Sequence, residues 1–347
     1  MNLAVVGVGA VGRAVCELAG AYGHRVTALA DSESATIDPA GIDPADSLAR
    51  KEETGRVGSA APEDALAAEY DALVEATPTT LGDAEPGFAH ARAALERDHH
   101  VVLANKGPVA ERYADLRDLE RANRGNVRFE ATVGGAIPVL STIEDLGPAN
   151  VTAVRGVLNG TANFVLSRMA AEGLAYEHVL AEAQDLGVAE ADPSFDVEGT
   201  DAALKCSILA NVLAEGRGAA VDGGADGHDA DAGTGTDREY TLADADVEGI
   251  TGVSPNALEL AAADGRTVRL IGEVTSGRDD ADGPTERNRT VRVGPRLLPE
   301  HGTLAVSGTR NIVRIETRHA GRLNLSGRGA GGRETATAVL ADVGRLA

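Results

Sequence analysis

The chain has 347 residues, of which 43% are hydrophobic and 25% charged, so it can bury a sizeable core and more than one domain is expected. No run of about 18 consecutive apolar residues occurs, which argues against a membrane-spanning helix. The formal net charge of −22 argues against a nucleic-acid partner, because phosphate binding requires a basic surface.

The first third of the chain alternates short apolar runs with helical patterns. Strands are predicted at residues 3–9, 25–31, 71–77, 100–105 and 127–133, with helices at 10–23, 87–98 and 111–125. This alternation is typical of α/β proteins in which helices cover both faces of a parallel sheet. We therefore predict a Rossmann-type, doubly wound parallel sheet over residues 1–135, with ligands bound beyond the carboxyl ends of its strands.

The pattern changes at about residue 136. Helices are predicted at 137–146, 161–173, 178–187 and 200–216, and strands of a second, smaller, mixed sheet at 266–275, 290–298 and 311–318. Residues 216–239 are rich in Gly, Ala and Asp without periodicity, which predicts a flexible insertion. A second, α+β domain is expected over residues 136–327, followed by a last helix at 334–347.

A glycine motif, GVGAVG, stands between the first predicted strand and the first helix. Gly7, Gly9 and Gly12 allow a tight turn and close approach of the backbone to a pyrophosphate, and Ala10 and Val11 begin the helix whose free N–H groups favour an anion. The motif alone is weak. Its position, and an acidic residue at the end of the second strand, Asp31, predict a dinucleotide site.

The type of dinucleotide stays open. Asp31 favours NAD by accepting a hydrogen bond from a ribose 2′-hydroxyl. Ser32, Ser34, Arg50 and Lys51 follow at positions where they could meet the 2′-phosphate of NADP, although Lys51 could equally be a solvated surface charge.

Two further strand ends carry polar residues on the ligand-binding rim. Thr77 follows the strand at 71–77 in EATPTT and is expected to face the nicotinamide side of the cofactor, unless it belongs to a simple proline turn. Lys106 follows the strand at 100–105 in ANKG. A lysine at this rim is informative, because the chain has only three lysines among its 32 basic residues.

Lys205 is a second informative lysine, because it lies in a helix that is apolar nearly all round. Asp201 precedes it by four residues, so the two side chains share one helical face. A simple stabilising ion pair is one reading, but burying charges is costly unless they are paired or used. A desolvated lysine can exchange a proton whereas a guanidinium group essentially cannot, so the choice of lysine indicates acid–base chemistry.

The sequence resembles homoserine dehydrogenase over nearly its whole length. The matching segments occur in the expected order: GVGAVG, EATPTT, ANKG, FEATVGGAIP, LNGTANF, EADPSFDVEGTDAALK, HGTLAVSGTRN and GRGAGGRETATAVLADV. The resemblance implies NADP- or NAD-dependent, reversible reduction of L-aspartate 4-semialdehyde to L-homoserine, on the route to threonine and methionine. A monofunctional chain is expected, without the aspartate-kinase domain or the C-terminal regulatory domain of some relatives.

The resemblance also implies roles for individual residues. Lys205 would be the catalytic proton donor and acceptor, assisted by Lys106, and Glu190 and Asp201 would bind the substrate amino group. The resemblance further implies a substrate pocket shaped by Gly160, Thr161 and Asn163, a cofactor contact at Gly331, and a last helix that returns to the first domain, so that residues 328–347 complete it.

In the FEATVGGAIP segment, the resemblance implies a monovalent-cation site for Na⁺ or K⁺. Its ligands would be the Glu130 side chain and the backbone carbonyls of Val133, Gly135 and Ile137. Oxygen ligands from a tight glycine loop suit a hard cation, although the same loop could be an ordinary domain hinge.

Partners and location follow from the same observations. A small-molecule substrate and a homodimer built on the second domain are expected. The N-terminus begins directly as a strand and lacks a signal-peptide charge pattern, so a cytoplasmic protein is predicted. The acidic excess resembles salt-adapted proteins, in which carboxylates maintain solubility, or it is simply an acidic surface. Two alternatives to this function are a catalytically silent dinucleotide sensor and a related amino-acid dehydrogenase.

Overall fold

The computed structural model describes residues 1–218, 239–276 and 289–346. The chain forms two compact units, one of Met1–Pro138 with Ala330–Ala347 and one of Val139–Gly329. Most of the insertion predicted at 216–239 lies outside the described residues. None of the described helices has the length and apolar composition needed to cross a bilayer.

The strands and helices are numbered along the chain. The strands are β1 Asn2–Val6, β2 Arg25–Ala30, β3 Ala35–Ile37, β4 Ala72–Glu75, β5 His100–Leu103, β6 Val127–Arg128, β7 Val151–Val157, β8 Ala245–Val247, β9 Arg266–Ser276, β10 Arg289–Pro299, β11 Arg310–Thr317 and β12 Arg322–Arg328. The helices are α1 Ala10–Leu18, α2 Pro44–Thr54, α3 Pro62–Leu66, α4 Gly87–Leu95, α5 Gly107–Glu111, α6 Tyr113–Ala122, α7 Ala131–Gly134, α8 Val139–Leu146, α9 Gly160–Glu172, α10 Tyr176–Asp185, α11 Ser194–Val197, α12 Thr200–Gly218, α13 Pro255–Ala263 and α14 Gly332–Leu346.

The first unit contains a six-stranded sheet in the order β3-β2-β1-β4-β5-β6. All neighbouring pairs are parallel except β2 with β3. Its central strands are continuous apolar runs because both faces are covered; Leu3, Val5, Leu73 and Val74, for example, have no exposed surface. The strand order reverses direction at β1 and β4, which is where a doubly wound sheet binds its ligand. The predicted fold class is confirmed.

The second unit contains a mixed sheet in the order β12-β11-β7-β9-β10-β8. Its neighbouring strands are antiparallel except β8 with β10. The prediction of a smaller sheet was wrong, since six strands are present here as well. β12 was not predicted, because its residues alternate between exposed and half-buried positions and it lacks the apolar run that marks a buried strand.

The strand predicted at 127–133 was also wrong beyond its first two residues. After β6 the chain turns into the short helix α7. The backbone N–H of Glu130 is donated at 2.7 Å to the carboxylate of Asp342, in α14, instead of to a neighbouring strand. The Thr132 hydroxyl donates to the carbonyl of Phe129 at 2.7 Å, which stabilises the turn.

Helix α12 carries Lys205, the lysine predicted to take part in acid–base chemistry. All residues from Asp201 to Asn211 are buried, as expected for a helix that is apolar all round. The helix packs against β9 and β10. Any charged side chain on it must therefore be held by other protein groups.

Candidate active site

The turn after β1 has the shape of a dinucleotide cradle. Gly7 has a positive φ of 102°, and a Cβ there would lie 2.4 Å from the carbonyl oxygen of Ala76. A Cβ on Gly12 would lie 1.8 Å from the Gly7 carbonyl oxygen. Gly9 is the N-cap of α1 without any side-chain cap, and a Cβ there would meet nothing within 4 Å. Open space therefore faces the helix N-terminus, and the residues present fit a pyrophosphate.

The C-terminal helix reaches this turn within the same unit. Gly331 has a positive φ of 126°, and a Cβ on the next residue, Gly332, would lie 2.6 Å from the carbonyl oxygen of Ala10. Gly331 is therefore beside the glycine motif, as its predicted cofactor contact requires.

Asp31 follows β2 and is tied to its surroundings through both carboxylate oxygens. Its Oδ1 accepts from the backbone N–H groups of Glu33 and Ser34 at 2.9 and 2.8 Å, and its Oδ2 accepts from Lys51 Nζ at 2.5 Å. Burial alone would raise the pKa of Asp31, but the hydrogen bonds from Lys51, Glu33 and Ser34 hold the pKa below its usual value. Lys51 is thus the ion-pair partner of Asp31 and not a freely solvated charge.

A buried polar network joins the ends of β4 and β5. The Glu75 carboxylate accepts from the backbone N–H of Thr77 at 3.2 Å and also from its hydroxyl. Asn105 Nδ2 donates to the Thr77 hydroxyl at 3.2 Å, and Asn105 Oδ1 accepts from the Gly107 N–H at 2.9 Å. The loops carrying Thr77 and Lys106 are held together by this network. The sequence did not reveal Glu75 and Asn105, although a polar residue at the end of an apolar strand is a signal for such a role.

Lys205 and Asp201 form a buried pair in the second unit. Lys205 is 6% exposed and Asp201 7%. Lys205 Nζ donates to Asp201 Oδ2 at 2.6 Å and to the backbone carbonyl of Leu158 at 2.7 Å. Asn159, which sequence reasoning missed, donates its Nδ2 to Asp201 at 3.0 Å and to Asp196 at 2.7 Å.

The ammonium group of Lys205 has one N–H group that no described residue accepts. It carries three N–H groups, and the described part of the chain accepts from it through Leu158 and Asp201 alone. A third donor on a buried lysine is what a developing alkoxide requires.

Three other predicted substrate residues, Gly160, Thr161 and Asn163, lie at the start of α9. Asn159 caps α9 by accepting from the Ala162 N–H, so Gly160 and Thr161 form the first turn of that helix. The Thr161 hydroxyl donates to the Val188 carbonyl at 3.1 Å, and Asn163 Nδ2 donates to the Gly308 carbonyl at 2.8 Å.

Glu190 differs from the other predicted substrate residues. It is exposed, and its side chain makes no hydrogen bond or ion pair with a described residue. The buried cluster around Lys205 therefore does not hold its carboxylate through a direct bond.

A second acidic group, Asp342 of α14, lies against the loop proposed for a cation. Glu130 is 4% exposed, and Asp342, which accepts its N–H, is 2% exposed. Burial raises the pKa of Asp342 to about 6 and the Glu130 charge adds to the rise, while hydrogen bonds from Glu130 and Arg345 oppose it. Val133, Gly135 and Ile137 are buried in the same loop, with Gly135 at a positive φ of 56°. Two buried carboxyl groups beside a tight glycine loop fit a hard cation.

Comparison with known proteins identifies the family. The family model for homoserine dehydrogenase matches residues 138–222 and 232–343, and the model for the homoserine dehydrogenase NAD-binding domain matches residues 7–130. The homoserine dehydrogenase of Methanocaldococcus jannaschii is 35% identical over 99% of this chain and 97% of its own length.

Solved structures agree with this match. A homoserine dehydrogenase from Archaeoglobus fulgidus superposes with a TM-score of 0.83 at 37% identity, covering 100% of this chain and 99% of that one. A hyperthermophilic archaeal homoserine dehydrogenase in complex with NADPH gives a TM-score of 0.77 at 26% identity, covering 99% and 97%. With its glycine cradle and its buried lysine, the chain belongs to the homoserine dehydrogenase family, an NAD(P)-dependent oxidoreductase family.

Proposed function

We propose that this enzyme interconverts L-aspartate 4-semialdehyde and L-homoserine with Lys205 as the proton donor and acceptor. The observation that supports this role is the buried ammonium group of Lys205, which donates to Asp201 and Leu158 and keeps one N–H that none of the described residues accepts. In aldehyde reduction, Lys205 gives a proton to the carbonyl oxygen as negative charge develops there. In homoserine oxidation, the neutral amine removes the proton from the hydroxyl group.

The dinucleotide supplies the hydride in reduction when it is bound. The cofactor residues are proposed to be those of the first unit: Gly7, Gly9, Ala10, Val11, Gly12, Asp31, Thr77, Lys106 and Gly331. The steric need for glycine at Gly7 and Gly12 and the open N-terminus of α1 support the pyrophosphate site. A related enzyme binds NADPH, and the paired Lys51 gives this chain a cation at the edge where a 2′-phosphate would lie.

The substrate amino group is proposed to bind carboxylates of the second unit. Asp201 is the buried candidate, because it is already oriented by Lys205 and Asn159. Glu190 is exposed and would be recruited by the substrate. Gly160, Thr161 and Asn163 are proposed to shape the pocket, and Lys106 to serve as the second lysine of the reaction.

Three further properties belong to this proposal. Glu130, with the carbonyls of Val133, Gly135 and Ile137, is proposed to bind Na⁺ or K⁺, supported by the second carboxyl group at Asp342. The second unit is proposed to form a homodimer in the cytoplasm. The enzyme would then serve threonine and methionine biosynthesis, as its family does.

The proposal is tested by the oxidation of homoserine with NAD and with NADP, measured by the absorbance of the reduced cofactor from low to multi-molar salt. We expect turnover in at least one condition. Lys205→Met keeps the length of the side chain without a titratable group, and it should lose at least about 100-fold in turnover while still binding the cofactor.

The matched control is Ser207→Ala on the same helix. This change removes a buried hydrogen bond, to the Thr241 carbonyl at 3.0 Å, without touching the lysine cluster. Near-normal turnover of Lys205→Met would refute the assignment of the proton donor. Silence of the unaltered enzyme with both cofactors at every salt concentration would favour the dinucleotide sensor instead.

A further inference from the structure

Asn311 shares a hydrogen-bond acceptor with the proposed proton donor. Asn311 Nδ2 donates to the carbonyl oxygen of Leu158 at 3.0 Å, and Lys205 Nζ donates to the same oxygen at 2.7 Å. Because a carbonyl can only accept, the amide nitrogen of Asn311 must face it. Two donors fill both lone pairs of this oxygen and fix its position beside Lys205.

The sheet places Asn311 at this carbonyl. Ile312 on β11 pairs with Val157 on β7, so Asn311 and Leu158 are the next residues at the end of the same ladder. Asn311 is 2% exposed. A Cβ on Gly329 would lie 1.8 Å from Asn311 Nδ2, so glycine at 329 is required for the amide to stay where it is.

The second polar atom of this amide bonds no group in the described part of the chain. Asn311 Oδ1 is buried and has no hydrogen-bond partner among the described residues. A buried acceptor without a partner costs stability, so its presence beside a catalytic group indicates a functional constraint on the side chain.

We propose that Asn311 is a positioning residue for catalysis, which holds the Leu158 carbonyl and through it the ammonium group of Lys205. This inference rests on the proposed role of Lys205. Without Asn311, the carbonyl keeps one donor and can rotate, and the lysine follows it. A displacement of about 1 Å at a reacting group can reduce turnover by about 100-fold.

The first test is the kinetics of Asn311→Ala in both directions. We expect turnover to fall by about 10- to 100-fold, with the Michaelis constant for the cofactor unchanged. The matched control is Asn211→Ala, since Asn211 is also 2% exposed and loses two amide hydrogen bonds, both to Tyr240, where Asn311 loses one. If Asn211→Ala loses as much turnover as Asn311→Ala, the effect is general destabilisation and the proposal is wrong.

The second test is the pH profile of Asn311→Asp, which is informative even if Asn311→Ala folds poorly. A carboxylate at this position would favour the protonated lysine, so the alkaline limb of aldehyde reduction should move to higher pH. An unmoved profile would contradict the placement of Asn311 beside the proton donor.

Gly329→Ala provides an independent displacement of the same amide. The added Cβ should lower turnover as Asn311→Ala does, and the double variant should be no worse than Asn311→Ala alone. Additive losses would refute the coupling. If Lys205→Met stays active, the proposed function has failed; if only Lys205→Met loses turnover, the role of Asn311 alone has failed.

Discussion

Lys51 on α2 and Asp31 after β2 form an ion pair of 2.5 Å at the carboxyl edge of the first sheet. The lysine side chain is 27% exposed and the aspartate side chain 8%, so the pair presents its cationic member to solvent. An aspartate at this position ordinarily favours NAD, because its carboxylate repels a 2′-phosphate. We expect the pairing with Lys51 to neutralise that carboxylate, so that either dinucleotide can bind.

We expect Lys51→Ala to discriminate between the two cofactors. Without its partner, the Asp31 carboxylate would repel the 2′-phosphate, so the Michaelis constant for NADPH should rise by about tenfold or more. The constant for NADH should change little. Steady-state kinetics with both cofactors at one ionic strength measure the difference.

Arg50→Ala is the matched control for this prediction, because Arg50 is the exposed neighbour on the same helix and its side chain has no ion-pair partner among the described residues. An equal rise for NADPH and NADH in Lys51→Ala would show that the lysine supports the fold of the site without reading the phosphate.

Asp31 should also make stability depend on pH. Its pKa in the folded state lies below the usual value, since three hydrogen bonds outweigh the effect of burial. The stabilisation is therefore present above the unfolded-state pKa of about 4 and is lost as the pH falls through the folded-state value.

Asp31→Asn should accordingly lower the free energy of unfolding at about pH 6 and above, and the difference should shrink toward about pH 3. Urea unfolding at constant salt over this range measures it. A difference that is the same at every pH would mean that the carboxylate charge does not stabilise the folded state.

Local patterns predicted much of this fold. The apolar runs of β1 and β2, the glycine turn and the apolar helix α12 depend on neighbours in sequence, and the structure has them where they were expected. The end of β6 was not predictable in the same way. The Glu130 N–H donates to Asp342 and not to a neighbouring strand, and Asp342 is 212 residues away in sequence.

In the candidate site, too, contacts between sequence neighbours were predictable and contacts between distant residues were not. The spacing of Asp201 and Lys205 is local, and it gave their pairing directly. The Leu158 carbonyl and the Asn311 amide reach Lys205 because β7 and β11 are neighbours in the second sheet, which no periodicity reveals. The partner of Asp31 likewise depends on how α2 packs at the end of β2.

Carboxylate substitutions test how the substrate amino group is bound. Asp201→Asn should raise the Michaelis constant for homoserine. It should also lower turnover, because Asp201 Oδ2 accepts a hydrogen bond from Lys205 Nζ. Glu190→Gln should raise the Michaelis constant alone, since its side chain is exposed and bonds no described residue. Asp192→Asn, an exposed neighbour held by Ser194, is the control and should change neither. Unchanged kinetics in the first two variants would exclude both carboxylates as ammonium ligands.

The two thiols should be inert in the folded enzyme. Burial raises the pKa of Cys16 to about 12, with the charge of Glu17 adding to the effect. Burial also raises the pKa of Cys206 to about 12, although the nearby Lys205 opposes it. Because the thiolate is the nucleophile, iodoacetamide at about pH 8 should label neither cysteine in the native protein and both in urea. Mass spectrometry counts the adducts, and fast labelling of the native chain would contradict this burial.

A monovalent cation at the Glu130 loop should be visible as an ion-specific activation. The Asp342 carboxylate accepts the Glu130 backbone N–H, and the Glu130 charge helps burial to raise the Asp342 pKa, so a bound cation would offset the repulsion between the two carboxyl groups. Replacing K⁺ or Na⁺ by tetramethylammonium at constant ionic strength should therefore lower turnover, because that ion is too large for a tight oxygen cage. Glu130→Gln should remove the difference between the salts, while Glu144→Gln, on the following helix α8, should retain it. Equal rates of the unaltered enzyme in all three salts would contradict a specific cation site. Any effect of salt on this acidic chain would then come from ionic strength alone.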